Sequence, residues 1–228
     1  MKTILTAENI AKTYQMRDGI VYALNDVSLR IQKGDFVSIT GPSGSGKTTL
    51  LLALSGLIRP SFGKILFENQ DIACASDKEL AEFRKKHVGF VMQNFSLIPY
   101  MTAIQNVMIP LGLNGKTSSE QKALSSAVME LVGLANRQNH FPRELSAGQQ
   151  QRVAIARALV NKPTIIFADE PTGNLDPTLS TEILEFLQTI NKDLNITIMM
   201  VTHSPQAADY GNVKIKLIDG KLDIKNKN

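Results

Sequence analysis

Residues Gly41-Pro42-Ser43-Gly44-Ser45-Gly46-Lys47-Thr48 match G-x-x-x-x-G-K-[ST] at every fixed position. The chemistry of such a loop is phosphate binding. Glycines let successive backbone N–H groups converge on phosphate oxygens with no Cβ in the way, and a helix opening after the loop adds its positive end. Lys47 neutralises β- and γ-phosphate charge, and the Thr48 hydroxyl ligates Mg2+. Further along, Thr164-Ile165-Ile166-Phe167-Ala168-Asp169-Glu170 is an apolar run that ends in two acids. A strand beside the phosphate loop brings Asp169 towards the metal through water. Glu170 then faces the γ-phosphate, where attacking water is oriented and its proton accepted. Successive strand residues point to opposite faces, so the two acids divide the work only if the chain turns there, which Pro171 favours. Two carboxylates beside a triphosphate repel it unless a cation is present. These residues alone imply a nucleoside triphosphate with Mg2+.

The loop needs a strand before it and a helix after it. Phe36–Thr40 reads as the strand and residues 47–57 as the helix, with Gly56 and Pro60 at its exit. Upstream, Val27, Leu29 and Ile31 alternate with polar residues as in a half-buried strand. Val88–Met92 reads as a buried strand, and residues 77–134 are otherwise helical. Within them, the helix over 119–132 places Ala123, Ala127 and Leu131, with Leu124 and Val128, on one side. In the last third, a helix over 150–160 leads through Pro163 to the acid strand, 165–168. The next helix carries Leu179, Ile183, Phe186, Leu187 and Ile190, and a strand over 196–201 comes after it. Residues 213–218 and 221–224 form a hairpin at Asp219-Gly220, and 225–228 a frayed end. The fold class is α/β: a mainly parallel sheet covered by helices, with antiparallel strands added beside it.

Composition narrows the class further. The 228 residues, 43% hydrophobic and 20% charged, describe a globular chain rather than a disordered one. A net charge of +4 is too weak to argue for nucleic acid. One cysteine, Cys74, excludes an internal disulfide and is expected to be a semi-buried spectator. No apolar stretch reaches the ~18–20 residues of a membrane span, and Met1 to Glu8 contains no signal-peptide core. The expected location is cytoplasmic, with any membrane attachment supplied by a partner.

Leu145-Ser146-Ala147-Gly148-Gln149-Gln150-Gln151-Arg152, one helix ahead of the acid strand, has no role in a generic phosphate-loop kinase. Here the chain resembles the ATP-binding subunits of ABC transporters, whose signature is Leu-Ser-Gly-Gly-Gln. The other family segments appear in order: Tyr14 at the adenine-stacking aromatic, Gln93 at the Q-loop, Gly173-Asn174-Leu175-Asp176 at the D-loop, and His203 at the switch histidine. The resemblance spans nearly the whole chain. It implies a phosphate-loop ABC ATPase fold with a RecA-like mixed-sheet core, an antiparallel β subdomain, and a helical signature subdomain at about 94–160, within one nucleotide-binding domain covering 1–228. It also implies a head-to-tail homodimer enclosing two ATP molecules with Mg2+, hydrolysis to ADP and phosphate, and an integral membrane permease on whose cytoplasmic side the subunit sits.

The resemblance assigns roles residue by residue. Glu170 polarises the attacking water, and His203 holds water and γ-phosphate in line. Lys47, Thr48, Gln93 and Asp169 manage phosphate and metal. Gly41, Ser43, Gly44, Ser45, Gly46 and Thr49 complete the loop's contacts to nucleotide. Ser146, Gly148 and Gln149 close the site from the opposite subunit, with Asp176 between the two sites. Residues 93–110, with Phe95, Leu97, Ile98, Pro99 and Met101, are either the permease-docking surface or an internal helical core. The wording around Gln93 and Asp169 looks most like the macrolide-export and lipoprotein-release branch, which implies export or extraction of peptide, antibiotic or lipoprotein.

Two rivals stay open: a soluble ABC protein acting on ribosomes or DNA, and an ATP-dependent clamp that regulates a membrane protein. A GTPase is disfavoured, because Asn191-Lys192-Asp193 places its acid one residue early. His87 and His140 are expected at the surface. The sequence departs from the family at Asn174, and at Ala147, where glycine is usual. Only a left-handed backbone at 147 would make alanine costly there. We therefore expect Ala147→Gly to change the steady-state ATPase rate by less than about tenfold; a larger change would show that the methyl group matters.

Overall fold

A computed structural model describes residues 2–17 and 19–223. Two sheets enclose one helix. β1 (Thr3–Met16) pairs antiparallel with β2 (Gly19–Gln32) and with β4 (Phe62–Phe67), which in turn pairs with β5 (Gln70–Asp71). The second sheet runs β10 (Lys221–Leu222), β9 (Val213–Ile218), β3 (Phe36–Thr40), β8 (Thr197–Val201), β7 (Ile165–Asp169), β6 (Val88–Met92). All its pairings are parallel except β9 with β10. Helix α1 (Lys47–Leu54) lies between the sheets: Leu50, Leu51 and Leu54 pack with Leu5, Ile10 and Leu24 on one side and with Phe167, Met199 and Val201 on the other.

The alternation of the parallel strands divides the core. Ile165 and Phe167 of β7 face α1, whereas Ile166 and Ala168 face α6 (Pro177–Leu194) through Ile183, Leu184, Leu187 and Ile190. Both faces are covered, so these strands read as unbroken apolar runs. Each large side chain buried here contributes roughly 1.5–3 kcal/mol. A third cluster joins Ala103, Val107 and Leu111 of α3 (Ala103–Leu113), Met129 of α4 (Ser118–Leu131), and Val153 and Ala156 of α5 (Ala147–Leu159). Helix α5 also joins the sheet core through Ile155 and Leu159. Helices α2 (Asp77–His87) and α7 (Pro205–Ala208) complete the chain.

Several local expectations need correction. Helix α1 ends at Leu54 rather than at 57, because Ser55 caps it and Gly56 turns left-handed at φ +68°. In α4 the alanine face is outermost: Leu131 is 51% exposed, while Ser125 and Met129 are buried with Leu124 and Val128 beside them. Small Ser125 suits a close approach of neighbouring helices, and the alanines have little area to lose to solvent. His87 is half-buried against Phe67 and Phe83, and its Nδ1 lies 3.0 Å from Thr164 Oγ1; burial lowers its pKa. His140 is also only partly exposed, 3.0 Å from Arg137 Nη1. Cys74 is exposed rather than semi-buried. The expected frayed end, 225–228, and Ile224 lie outside the described residues.

Helix α5 sits flush on β6 because Gly89 has no side chain: a Cβ there would lie 2.6 Å from the Ala158 carbonyl oxygen. Gly89→Ala must therefore shift backbone rather than a rotamer. We expect a loss of about 1–3 kcal/mol in urea unfolding; an unchanged midpoint would show that the helix has slack.

Candidate phosphate and metal site

Strand register builds the site. Ile39 pairs with Val201, Val201 with Asp169, and Asp169 with Met92. The carboxyl ends of four parallel strands therefore finish at one level, where ligands of open α/β sheets bind. The phosphate loop leaves β3 at this level, Thr202-His203 leave β8, Glu170 leaves β7 and Gln93 leaves β6.

After β3 the chain takes left-handed turns at Gly41 (φ +149°), Gly44 (φ +78°) and Gly46 (φ +96°), the last capping α1. Space is as restrictive as backbone at two of them. A Cβ on Gly41 would lie 2.0 Å from the Leu217 carbonyl, and one on Gly46 2.1 Å from that of Ala23. The contact with Ala23 also seats the β1–β2 hairpin beside the loop. Tyr14, opposite Val21 on that hairpin, is 43% exposed, with Lys12 Nζ 5.4 Å from its ring centre. Ser43 and Gly44 are exposed at the loop's rim, Ser45 is buried, and Thr49 is half-buried in α1.

Lys47 is only 5% exposed, and its ammonium donates to the carbonyls of Gly41 (2.9 Å) and Pro42 (2.8 Å). Burial lowers its pKa, while Glu170 and Asp169 pull it back up. The carbonyls satisfy hydrogen bonds but leave a positive charge short of water, which favours an anion in the loop. Ser45 Oγ, buried in the same loop, has no hydrogen-bond partner among the described residues. The Thr48 hydroxyl donates to Asp169 Oδ1 at 3.2 Å. Burial raises the Asp169 pKa, the Thr48 bond opposes this, and Glu170 adds repulsion. A half-buried carboxylate beside a second acid and a hydroxyl oxygen is a donor set that fits a hard cation. The described residues contain no cluster of three or more His, Cys, Asp or Glu able to hold a metal. A Mg2+ site requires no such cluster, because the ion is generally held by one or two carboxylates together with substrate phosphates and waters.

Glu170 adopts φ +47°, and this turn separates the two acids. Its N–H donates to the Val201 carbonyl at 3.0 Å, and its Oε1 lies 2.9 Å from His203 Nε2. A 570 Å3 cavity lies against both residues, lined also by Thr202, Gly173 and Ser204. A wider groove of 1270 Å3 lies by α2 and His87, at the opposite ends of β6 and β7, away from these groups.

The signature segment sits elsewhere. Ser146 caps α5, accepting from Gln149 N at 3.3 Å, while Gln149 Oε1 accepts from Ser146 N at 3.1 Å. The Gln149 side chain therefore folds back on its own helix end. Ala147 is the first residue of α5 and is not left-handed, so alanine carries no backbone penalty there. Gly148 is buried against Leu179, and Asp176 caps α6. Among the described residues, no hydrogen bond or ion pair joins Ser146, Gly148, Gln149 or Asp176 to the phosphate loop.

Sequence reasoning passed over three residues. Gln151, fully buried, donates from Nε2 to the Pro171 carbonyl at 2.6 Å and so ties α5 to the turn after Glu170. Arg157 donates to the carbonyls of Phe95 (2.8 Å) and Ser96 (2.6 Å), both left-handed residues after Gln93. Asn106, also fully buried, holds the segment 98–102 through Ile98, Met101 and Thr102. No local pattern marks them, because each partner is distant in sequence or lies in an irregular loop.

Burial disfavours the ionised form of Asp169. Its folded pKa lies above the ordinary 3.8, so the ionised form opposes folding at neutral pH, and that cost fades as pH falls towards the ordinary value. Asp169→Asn should raise the melting temperature of nucleotide-free protein by about 1–4 °C at pH 7. The gain should shrink as the pH falls towards 3.8. A variant that melts lower at pH 7 would contradict the assigned strain.

The same arrangement recurs in known proteins. Residues 24–173 match the family described as ABC transporter. The chain is 47% identical to the ABC transporter ATP-binding protein YtrE of Bacillus subtilis over 90% of its length and 89% of that protein. It is 43% identical to the lipoprotein-releasing system ATP-binding protein LolD of Francisella tularensis, over 97% and 96% of the two chains. The fold superposes with a TM-score of 0.89 on the dimeric post-hydrolysis structure of the ATP-binding cassette MJ0796 of Methanocaldococcus jannaschii, bound to ADP and Pi, at 40% identity and covering 96% and 97% of the chains. A phosphate loop, an acid pair at the end of β7 and a separate capped signature helix, matched along nearly the full length, place this chain in the ABC transporter family, as one of its ATP-binding and ATP-hydrolysing subunits.

Proposed function

We propose that two copies of this chain associate head to tail around two ATP molecules, and that hydrolysis drives a membrane permease. The observation that carries this reading is the separation of two anion-binding ends. The loop with Lys47 and Thr48 forms one. The N-terminus of α5, capped by Ser146, forms another, and among the described residues no hydrogen bond or ion pair ties it to that loop. One triphosphate meets both only if the second comes from another subunit. The dimeric state of the MJ0796 cassette supports this assembly.

Within each site, Tyr14 offers an exposed ring to adenine. Lys47 and the loop N–H groups take the phosphates. Thr48, Asp169 and Gln93 would hold Mg2+, which would supply positive charge to offset that of the phosphates. Glu170 accepts the proton of the attacking water. His203, in the tautomer with its proton on Nε2, donates to the Glu170 carboxylate at 2.9 Å and keeps it aimed. Loss of the γ-phosphate removes the charge that joins the subunits, so hydrolysis reopens the pair.

Segment 93–110 divides its residues between two tasks. Leu97 packs into the helical core, whereas Tyr100 is 76% exposed and Pro99 beside it is exposed too. These exposed groups are the proposed permease contact, on the cytoplasmic face of the membrane. No helix among the described residues is long and apolar enough to cross a membrane. Likeness to a lipoprotein-releasing subunit supports export or extraction as the work done.

Phosphate-release assays test the central chemistry. Glu170→Gln should lower kcat by ~10^2-fold or more while ATP binding persists. Near-normal turnover in this variant would remove Glu170 from the reaction.

A further inference from the structure

Gly173 and Asn174 engage Gln93 in a way that folding does not require. Asn174 Nδ2 donates to the Gln93 carbonyl at 3.1 Å and to Asn94 Oδ1 at 2.9 Å. A carbonyl can only accept, so the amide group must face it. The Gln93 side chain lies directly over Gly173: a Cβ there would be 2.7 Å from Gln93 Nε2 and 3.2 Å from its Cδ and Cγ. Gly173 is not left-handed, so its backbone would accept alanine. The missing Cβ provides room for Gln93. Gln93, Gly173 and Asn174 are all exposed, where such bonds add little to stability.

The rest of the geometry makes this contact directional. Gly173 N donates to the Glu170 carbonyl at 3.0 Å, so the loop under Gln93 is also tied to the turn of the acid. On its far side, the Phe95-Ser96 turn is pinned to α5 by Arg157. Gln93 thus lies between a fixed turn and the loop that leads to Asp176.

We propose that Gly173 and Asn174 are positioning residues that seat Gln93, so that the loop carrying Asp176 sets where the Gln93 amide lies relative to Glu170. This rests on the role given to Gln93 above. In a head-to-tail pair, Asp176 lies between the sites, so the seat links the subunit interface to a group that handles phosphate and metal.

The test is a double-mutant cycle on single-turnover ATP hydrolysis, with melting curves as the folding control. Gly173→Ala and Asn174→Ala should each slow hydrolysis at least ~5-fold with an unchanged melting temperature. In a Gln93→Ala background neither should slow it further. If both changes multiply fully with Gln93→Ala, or neither slows the parent, the seat is refuted while the role of Gln93 stands. If Gln93→Ala alone hydrolyses at the parental rate, the role of Gln93 fails and the seat with it. Should Gly173→Ala fail to fold, exposed Asn174→Ala carries the test.

Discussion

A buried ammonium at the start of α1 and a half-buried carboxylate at the end of β7 sit at the same edge of the parallel sheet. Lys47 is held down by loop carbonyls, and Asp169 is raised in pKa by burial. Among the described residues neither charge has a direct ion-pair partner, and Asp169 accepts from the Thr48 hydroxyl. The arrangement is costly to fold and makes sense for a ligand that brings anion and cation together. Much of the remaining structure serves to hold that mismatch in place. The in-register ends of β3, β8, β7 and β6 level the groups, the left-handed glycines shape the cradle, and the core on both sheet faces keeps the strands from shifting.

Legibility in the sequence followed the physics of burial. The strands beside the site are covered on both faces, so they appear as apolar runs bounded by turn residues, and the acid pair stands out at the end of one. The phosphate loop is legible because its glycines serve local backbone geometry. The division of labour between Asp169 and Glu170 was tied to a turn, and Glu170 makes it with a left-handed backbone. Strand β1 left a weaker trace. Its register against β2 shifts between Ala7 and Lys12, and left-handed Asn9 interrupts the alternation. The face of α4 was misjudged because its alanines and leucines share a helical period with the row that packs. Contacts such as Gln151 with Pro171 and Asn174 with Gln93 join residues 20 and 81 positions apart, which no local pattern encodes.

Helix α5 connects the two halves of the mechanism. Its N-terminus carries Ser146, its first turns hold the exit of the acid strand through Gln151, and its last turn grips the bend after Gln93 through Arg157. A shift of this helix is felt at Glu170's turn and at Gln93 together. Segment 98–102, fastened by buried Asn106, lies next to the same bend and presents Tyr100 to solvent. The path from the proposed permease contact to the phosphate site is therefore made of packed or hydrogen-bonded groups.

The account depends on a site that one subunit leaves incomplete. Light scattering of the Glu170→Gln protein under saturating MgATP examines this most directly. Its mass should double with MgATP and return to that of one chain with ADP. A mass that stays at one chain under saturating MgATP, with nucleotide demonstrably bound, would contradict the shared site.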